Sequence, residues 1–408
     1  MNGWHTSAYT GLFARFGSMA SRPHDPACFL ASGEAPSWLA RGTLVMGSGI
    51  GWTADAADNA CLGEAIERLL GAPLPDDGKF TASFADWPLP APAVDPARWV
   101  LFHPEQYRQE GFPFQRFTRA TMCDWVCCRQ ALSGTPVWVP AELAYLDMPG
   151  GHRLAPGYST GLAAGRSGDP LLLRGLQEVI ERDAVVGALW GRYAIHEQPM
   201  SNVFSLLGEE IRERVVRPNL QYRCLRIASP FTDHVTLVTL EGEDREGYVF
   251  SIGSCCRETR TASWSKALLE AIHGRHYVRF LKSQVAAGAM KLGAMPRSFA
   301  EHAVWHSVHP GRARLLPSHG IGDDLSPSDS VETIETLIER LGPDRPVLIR
   351  SMTPPPLASA GLGWHVLRVM VPGLQPLHGH HAFAHLGGPL WSPRGLADWH
   401  AMPPHPFP

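Results

Sequence analysis

Twice in this chain a run of glycines is followed by a helix-patterned stretch carrying the phrase Glu-x-x-Glu-Arg. Residues 47–71 read GSGIGWTADAADNACLGEAIERLLG, with Glu64, Glu67 and Arg68. Residues 159–191 read STGLAAGRSGDPLLLRGLQEVIERDAVVGALWG, with Glu178, Glu181 and Arg182. A weaker copy between Gly253 and Arg279 keeps Glu270 and Ile272 in LLEAIHGR, with His273 where the others have the second glutamate. In the central copy Ser159-Thr160-Gly161 and Gly165 to Gly168 supply a turn, and Asp169-Pro170 starts the helix. Aspartate accepts from free N–H groups, and proline has no N–H to leave unpaired. Leu172, Leu173, Leu176, Val179 and Ile180 then form one buried stripe, while Glu178 and Glu181 project from one side. Three such units suggest one polar site assembled from distant parts of the chain.

If the helices converge, Glu64, Glu67, Glu178, Glu181 and Glu270 repel one another in a partly dry site, at a cost of several kcal/mol that calls for cations. Hard carboxylate oxygens suit Mg²⁺, which bridges carboxylates to phosphates. Arg68 and Arg182 can clamp phosphate oxygens, and glycine-rich turns at helix starts offer backbone N–H groups to an anion. The pattern reads as a nucleoside triphosphate held through metal. The plain alternative is that Glu64/Arg68 and Glu178/Arg182 are i,i+4 pairs on solvated faces. Repetition of the phrase after glycines favours function. Gly47-Ser48-Gly49-Ile50-Gly51 is not GxGxxG and GxxxxGK is absent, so neither a Rossmann nor a P-loop site is supported.

The remaining sequence sets bounds. With 408 residues, 44% hydrophobic and 18% charged, the chain is an ordinary globular protein of one or two domains. A net charge of −3 gives no reason to expect nucleic acid or an anionic membrane as partner. The amino terminus lacks a secretory pattern and no run is apolar enough to span a bilayer, so the cytoplasm is the expected location. The eight cysteines, without a CxxC pair, do not form a disulfide framework or a zinc ribbon; Cys123, Cys127 and Cys128 read as small buried hydrophobes.

Along the chain, residues 1–46 hold a strand or two, and Pro73 to Trp99 is an exposed excursion with a short strand at most. Residues 117–146 form a strand pair turned at Ser133-Gly134. Helix follows near 203–216, then strands at 223–228, 234–240 and 247–252. Residues 288–330 read as loop-rich, and an amphipathic helix over 328–341 is capped by Ser328 or Ser330 and stopped by Gly342-Pro343. Strands at 346–350 and 364–371 close the core. The run His378-Gly379-His380-His381 with His385 has no regular zinc spacing and reads first as a polar loop near substrate or tail, second as a metal site.

The segments CLGEAIER, STGLAAG…LLRGLQEVIERDA, SKALLEAIHGR and RVMVPGLQPL, in this order, resemble the YcaO family from about residue 43 onward. The resemblance implies an α+β fold, with mixed or antiparallel sheets and helices around an ATP site. It divides the chain into a lead-in segment (1–42) and a catalytic domain (43–408). It implies Mg²⁺ ligands at Glu64, Glu67, Glu178, Glu181 and Glu270. Nucleotide contacts fall to Arg68, Ser159, Thr160, Arg182, His273 and Arg275. Two positions depart from the family pattern, Cys61 for serine in the first motif and His273 for glutamine in the third; either can alter metal coordination, and neither removes a carboxylate.

YcaO proteins activate a peptide amide with ATP after a nucleophile has added to its carbonyl carbon. Pro404-His405-Pro406-Phe407-Pro408 fits the PxPxP tail of the azoline-forming members, which assigns catalytic parts to Pro404, Pro406, Pro408 and Arg182. A carboxylate at Pro408 or a nearby histidine is the candidate base. The expected activity is ATP-dependent cyclodehydration of Cys, Ser or Thr in a ribosomal precursor peptide. Thioamide or amidine formation, a non-catalytic peptide-docking subunit and a small-molecule phosphotransferase are the alternatives. No leader-binding domain is expected ahead of residue 43, so an E1-like or ocin-ThiF-like partner is implied, with weak activity alone. A flavin dehydrogenase is a further conceivable partner, and the expected assembly is a homodimer within a larger complex.

Overall fold

The computed structural model describes residues 11–19, 21–22, 24–37, 43–74, 77–310, 316–320, 331–354 and 363–408. Among the described residues the architecture is α+β, built on three sheets whose named strands all pair antiparallel. The first holds β1 (Arg15–Met19), β2 (Phe29–Pro36) and β3 (Leu44–Gly51) in that order. Of the lead-in segment, β2 is thus hydrogen-bonded to β3 and β1 to β2.

The second sheet runs β11 (Gly247–Cys255), β10 (Thr236–Asp244), β9 (Gln221–Ile227), β8 (Ile195–Gln198). The third runs β4 (Lys79–Ala82), β5 (Cys123–Gln130), β12 (Leu348–Ser351), β13 (Trp364–Met370), β7 (Leu162–Arg166), with β6 (Pro136–Pro140) also on β5. The β5–β6 pair turns through Ser133-Gly134 as expected, with Gly134 at φ 68°.

Each repeated unit is a strand followed by a helix: β3 then α1 (Ala54–Leu70), β7 then α3 (Leu171–Leu189), β11 then α6 (Arg260–Ala286). Each of those strands lies at an edge of its sheet. In the first and third units the glycines serve close packing of helix on strand. A Cβ at Gly47, Gly49 or Gly51 would stand 2.4 Å from Cys61 O, 2.0 Å from Ala57 O and 2.7 Å from Ala56 Cβ. Only strands bare of side chains let α1 lie this close to β3. Gly253 does the same for α6, its Cβ position 2.2 Å from Ala267 O.

The central unit differs from expectation. Residues 162–166 are strand, so two separate turns flank β7, with Gly161 at φ 86° and Gly168 at φ 95°. Asp169 does not cap the helix; its carboxylate accepts the Arg166 N–H (2.5 Å) and closes the β7–α3 turn, while Pro170 holds the N-cap position. α1 and α6 are capped by Thr53 and Thr259.

Elsewhere, α2 (Ala141–Ala144) follows β6, and α4 (Met200–Leu207) and α5 (Glu209–Val215) occupy the expected helical stretch. The region read as loop-rich contains α7 (Phe299–Val308), capped by Ser298. α8 (Ile334–Leu341) begins later than expected and is capped by Thr333; Ser328 and Ser330 lie outside the described residues. The short α9 (Leu396–His400) precedes the tail. All eight cysteines are free thiols. Cys123 and Cys128 are buried, and burial raises both thiols to about 12. No described helix is long and apolar enough to cross a membrane.

Candidate active site

Helix periodicity places Glu64, Glu67 and Arg68 on one side of α1, and Glu178, Glu181 and Arg182 on one side of α3. What holds them is the unpaired rim of the sheets. Edge strands leave N–H groups without a ladder partner, and glutamates accept them. Ser48 of β3 donates both its N–H (2.5 Å) and its hydroxyl (2.8 Å) to Glu64. The Gly161 N–H, at the start of β7, donates to Glu178 (3.1 Å). Ser254 of β11 donates its hydroxyl to Glu181, and the Cys256 N–H follows at 3.0 Å. Sequence reasoning found the carboxylates and missed Ser48 and Ser254, although each stands beside a packing glycine (Gly47-Ser48-Gly49 and Gly253-Ser254).

The charges of the three helices act on one another. Arg182 lies 3.3 Å from Glu181 and 3.8 Å from Glu178. Burial works against its charge, but Glu181, Glu178 and Glu270 outweigh it and hold Arg182 above the usual arginine range. Burial, then the negative charges of Glu178 and Glu64, push the Glu67 carboxyl well above the ordinary range; Arg68 and Arg368 offset this only in part. Burial also raises Glu178, with Glu181 adding and Arg182 opposing. Burial alone would raise Glu270, yet Lys266, which pairs with it, and His273 bring it to about 2. Burial lowers His273 although both Glu270 and Glu64 face it. Residues from α1, α3 and α6 thus share one acidic site.

Other expected site residues have other surroundings. Arg68 is exposed and pairs with Glu64 (2.5 Å) while also donating to Met46 O (3.0 Å). Ser159 is exposed and Thr160 buried, both in the turn before Gly161. Arg275 is 1% exposed, and its guanidinium donates to the carbonyls of Gly242 and Val249 in the second sheet (3.4 Å each). It therefore serves the α6–sheet contact, because its position on α6 faces the strands and not the glutamates. Cys61 is fully buried beneath β3 within the apolar core, and burial raises its thiol to about 12. Arg368, unanticipated, is buried between Tyr158 O (2.9 Å) and Leu143 O (3.3 Å), within electrostatic reach of Glu67 and Glu178. An open cleft of about 760 Å³ at the start of α3 is lined by Asp169, Glu258 and Glu332, and by none of the five site glutamates.

The carboxyl-terminal residues are docked, not frayed. Pro404 to Phe407 are buried and Pro408 is exposed. His306 bonds Pro404 O (2.9 Å), His302 bonds His405 O (2.9 Å), and His405 bonds His378 O (2.6 Å). Of the histidine run, His378 thus lies against the tail. Asp183 ties α3 to the same loop by accepting the Gln375 N–H (2.8 Å). The buried histidines make weak bases: burial lowers His302 to about 3, and takes His378 and His405 well below the ordinary range.

Glutamates from three helices, gathered around an arginine at the rims of antiparallel sheets, define a site of the metal-and-polyanion class. The model of the YcaO cyclodehydratase family, described as ATP- and Mg²⁺-binding, matches residues 48–375, and the chain belongs to that family. No significant match is found among curated proteins. Among solved structures, a heterocyclase in complex with substrate and cofactor is similar at 19% identity and a TM-score of 0.68, over 96% of this chain and 53% of that one. The chain thus spans about half the length of that heterocyclase. YcaO from Methanopyrus kandleri bound with AMPPCP and Mg²⁺ is similar at 20% identity and a TM-score of 0.57, over 88% and 85%. The E. coli microcin synthetase McbBCD complex is similar at 12% and 0.62, over 96% of each chain. At these identities the likeness establishes the fold.

Proposed function

We propose that this chain is an ATP-dependent cyclodehydratase that converts Cys, Ser or Thr of a ribosomal precursor peptide into thiazoline or oxazoline. The observation that carries the reading is the convergence of Glu64, Glu67, Glu178, Glu181 and Glu270 on one site. The donor set fits Mg²⁺: hard carboxylate oxygens, several half-buried, with Glu67 and Glu178 pushed up by burial and mutual repulsion that a dication relieves. Those five glutamates would hold the metal, which when bound neutralises phosphate charge.

The chain's own residues then do the following. Arg182, kept charged by its glutamates, and Arg68 would grip phosphate oxygens, and Ser159, Thr160 and half-buried His273 would line the nucleotide. The peptide's thiol or hydroxyl adds to the preceding carbonyl carbon and its proton goes to a base. The resulting oxyanion would take the γ-phosphoryl group of ATP, with ADP as the leaving group. Loss of the amide N–H proton with departure of phosphate forms the C=N bond, so the peptide loses one water, whose oxygen leaves in phosphate. The docked tail, Pro404 to Pro408, supports an azoline-forming assignment over thioamide or amidine formation, with Pro408 its exposed end. Among family relatives, McbBCD is a complex that has been seen with pro-MccB17 bound, which favours a peptide substrate and partner proteins for this chain. A leader-binding E1-like or ocin-ThiF-like partner is part of the proposal.

The test is mass spectrometry of a Cys/Ser/Thr-containing precursor peptide incubated with the chain, its leader-binding partner, ATP and Mg²⁺. One water lost per modified residue, abolished in Glu181→Ala, is expected. A phosphorylated product, or a sulfur-for-oxygen mass change, would refute azoline formation.

A further inference from the structure

Three histidines far apart in sequence meet beneath the tail: His302 on α7, His378 in the loop after β13, and His405 in the tail itself. One ring nitrogen of each lies within 4.8 Å of the others, and the three are 0%, 4% and 3% exposed. Their hydrogen bonds fix the tautomers. A carbonyl oxygen only accepts, so His302 Nδ1, bonded to His405 O, carries the proton and leaves the Nε2 lone pair, which has no partner. By the same argument His405 Nε2, bonded to His378 O, carries the proton, and its Nδ1 lone pair accepts the Phe407 N–H at 3.2 Å, a weak bond that ligation would exchange for the metal. His378 has no partner at either ring nitrogen. Orienting a ligand histidine by giving its other N–H to a backbone carbonyl is how proteins prepare imidazole for metal.

We propose that His302, His378 and His405 form a binding site for a divalent transition metal of the Zn²⁺ class that fastens the carboxyl-terminal tail to α7. Neutral imidazole nitrogens select such ions over Mg²⁺, which prefers oxygen, so this site is separate in chemistry from the glutamate cluster. Three nitrogens leave one position of a zinc tetrahedron for water. Ligation at the usual Zn–N length places nitrogens about 3.3 Å apart. His302 and His405 are stacked at 3.7 Å and 4°, so ligation requires the two rings to tilt out of parallel until both lone pairs reach one ion. Of the run around residue 380, only His378 belongs to the trio; His302 and His405 come from segments the sequence placed in a loop and in a tail.

The experiment uses the full chain, stripped with chelator and titrated with Zn²⁺ and, separately, Co²⁺ in excess Mg²⁺. Expected are one tight equivalent per chain, and visible Co²⁺ absorption bands of tetrahedral intensity. His302→Gln and His378→Gln should each weaken that equivalent at least about tenfold, while His24→Gln on the surface should not. Zn²⁺ should also slow amide hydrogen exchange at His405 and Phe407 of the tail in the unsubstituted chain, a readout that does not depend on the variants folding. Equal binding by the variants and the unsubstituted chain, or octahedral Co²⁺ bands with no tail protection, would overturn the proposal.

Discussion

Glu181 offers a perturbation whose size follows from its bonds. It is 5% exposed; one oxygen accepts the Ser254 hydroxyl beside Arg182 (3.3 Å), and the other accepts the Cys256 N–H (3.0 Å). Glu181→Ala removes both acceptors and leaves a buried N–H and hydroxyl unsatisfied. Hydrogen bonds to a charged group contribute about 1.5–3 kcal/mol each, so the loss is about 3 kcal/mol at the low end, where water enters the space left. At roughly 2.1 cal/mol/K per residue of unfolding entropy, that lowers Tm by about 3–4 °C. Glu181→Gln keeps a carbonyl for the Cys256 N–H and costs about 1 kcal/mol, yet it removes the charge. The two variants therefore separate scaffold from function: Gln should melt near the unsubstituted chain while losing at least about tenfold in Mg²⁺-dependent ATP-analogue binding, read by calorimetry. Full nucleotide affinity in Glu181→Gln, or an unchanged Tm in Glu181→Ala, would refute the reasoning.

Three further outcomes are expected. Glu67 is raised in the folded state, so the native chain holds a proton that the unfolded chain has lost, and Mg²⁺-free stability falls as pH rises above the ordinary glutamate range; Glu67→Gln should be the more stable protein at about pH 8 and equal at about pH 4, in denaturant titrations. Gly49→Ala places a Cβ 2.0 Å from Ala57 O and should cost about 1–3 kcal/mol or more by lifting α1 from β3, whereas Gly17→Ala, with nothing within 4 Å, should leave Tm unchanged. Phe407, 2% exposed, anchors the tail; Phe407→Ala forfeits about 3–5 kcal/mol of local packing and should speed hydrogen exchange over residues 404–408 before it changes global Tm.

The sequence alone determined the three Glu-bearing helices with their acidic faces and the β5–β6 strand pair, because helical and strand periodicities are local and each apolar stripe needs burial wherever the chain goes; β7 and α7, short and without a clear period, were not legible. It fixed Glu64, Glu67, Glu178, Glu181 and Glu270 as a set by repetition. Only the tertiary structure decided what the glycines are for: at Gly47, Gly49, Gly51 and Gly253 they admit a helix against an edge strand, a contact between segments that no single window displays. The same reason hid Ser48 and Ser254, whose partners lie 16 and 73 residues away, and turned Arg275 toward the sheet. His302, His378 and His405 are 76 and 27 residues apart, and their meeting depends on the tail folding back over α7. Local pattern specifies elements; which unpaired groups face one another is settled when sheets, helices and tail close on a common interior.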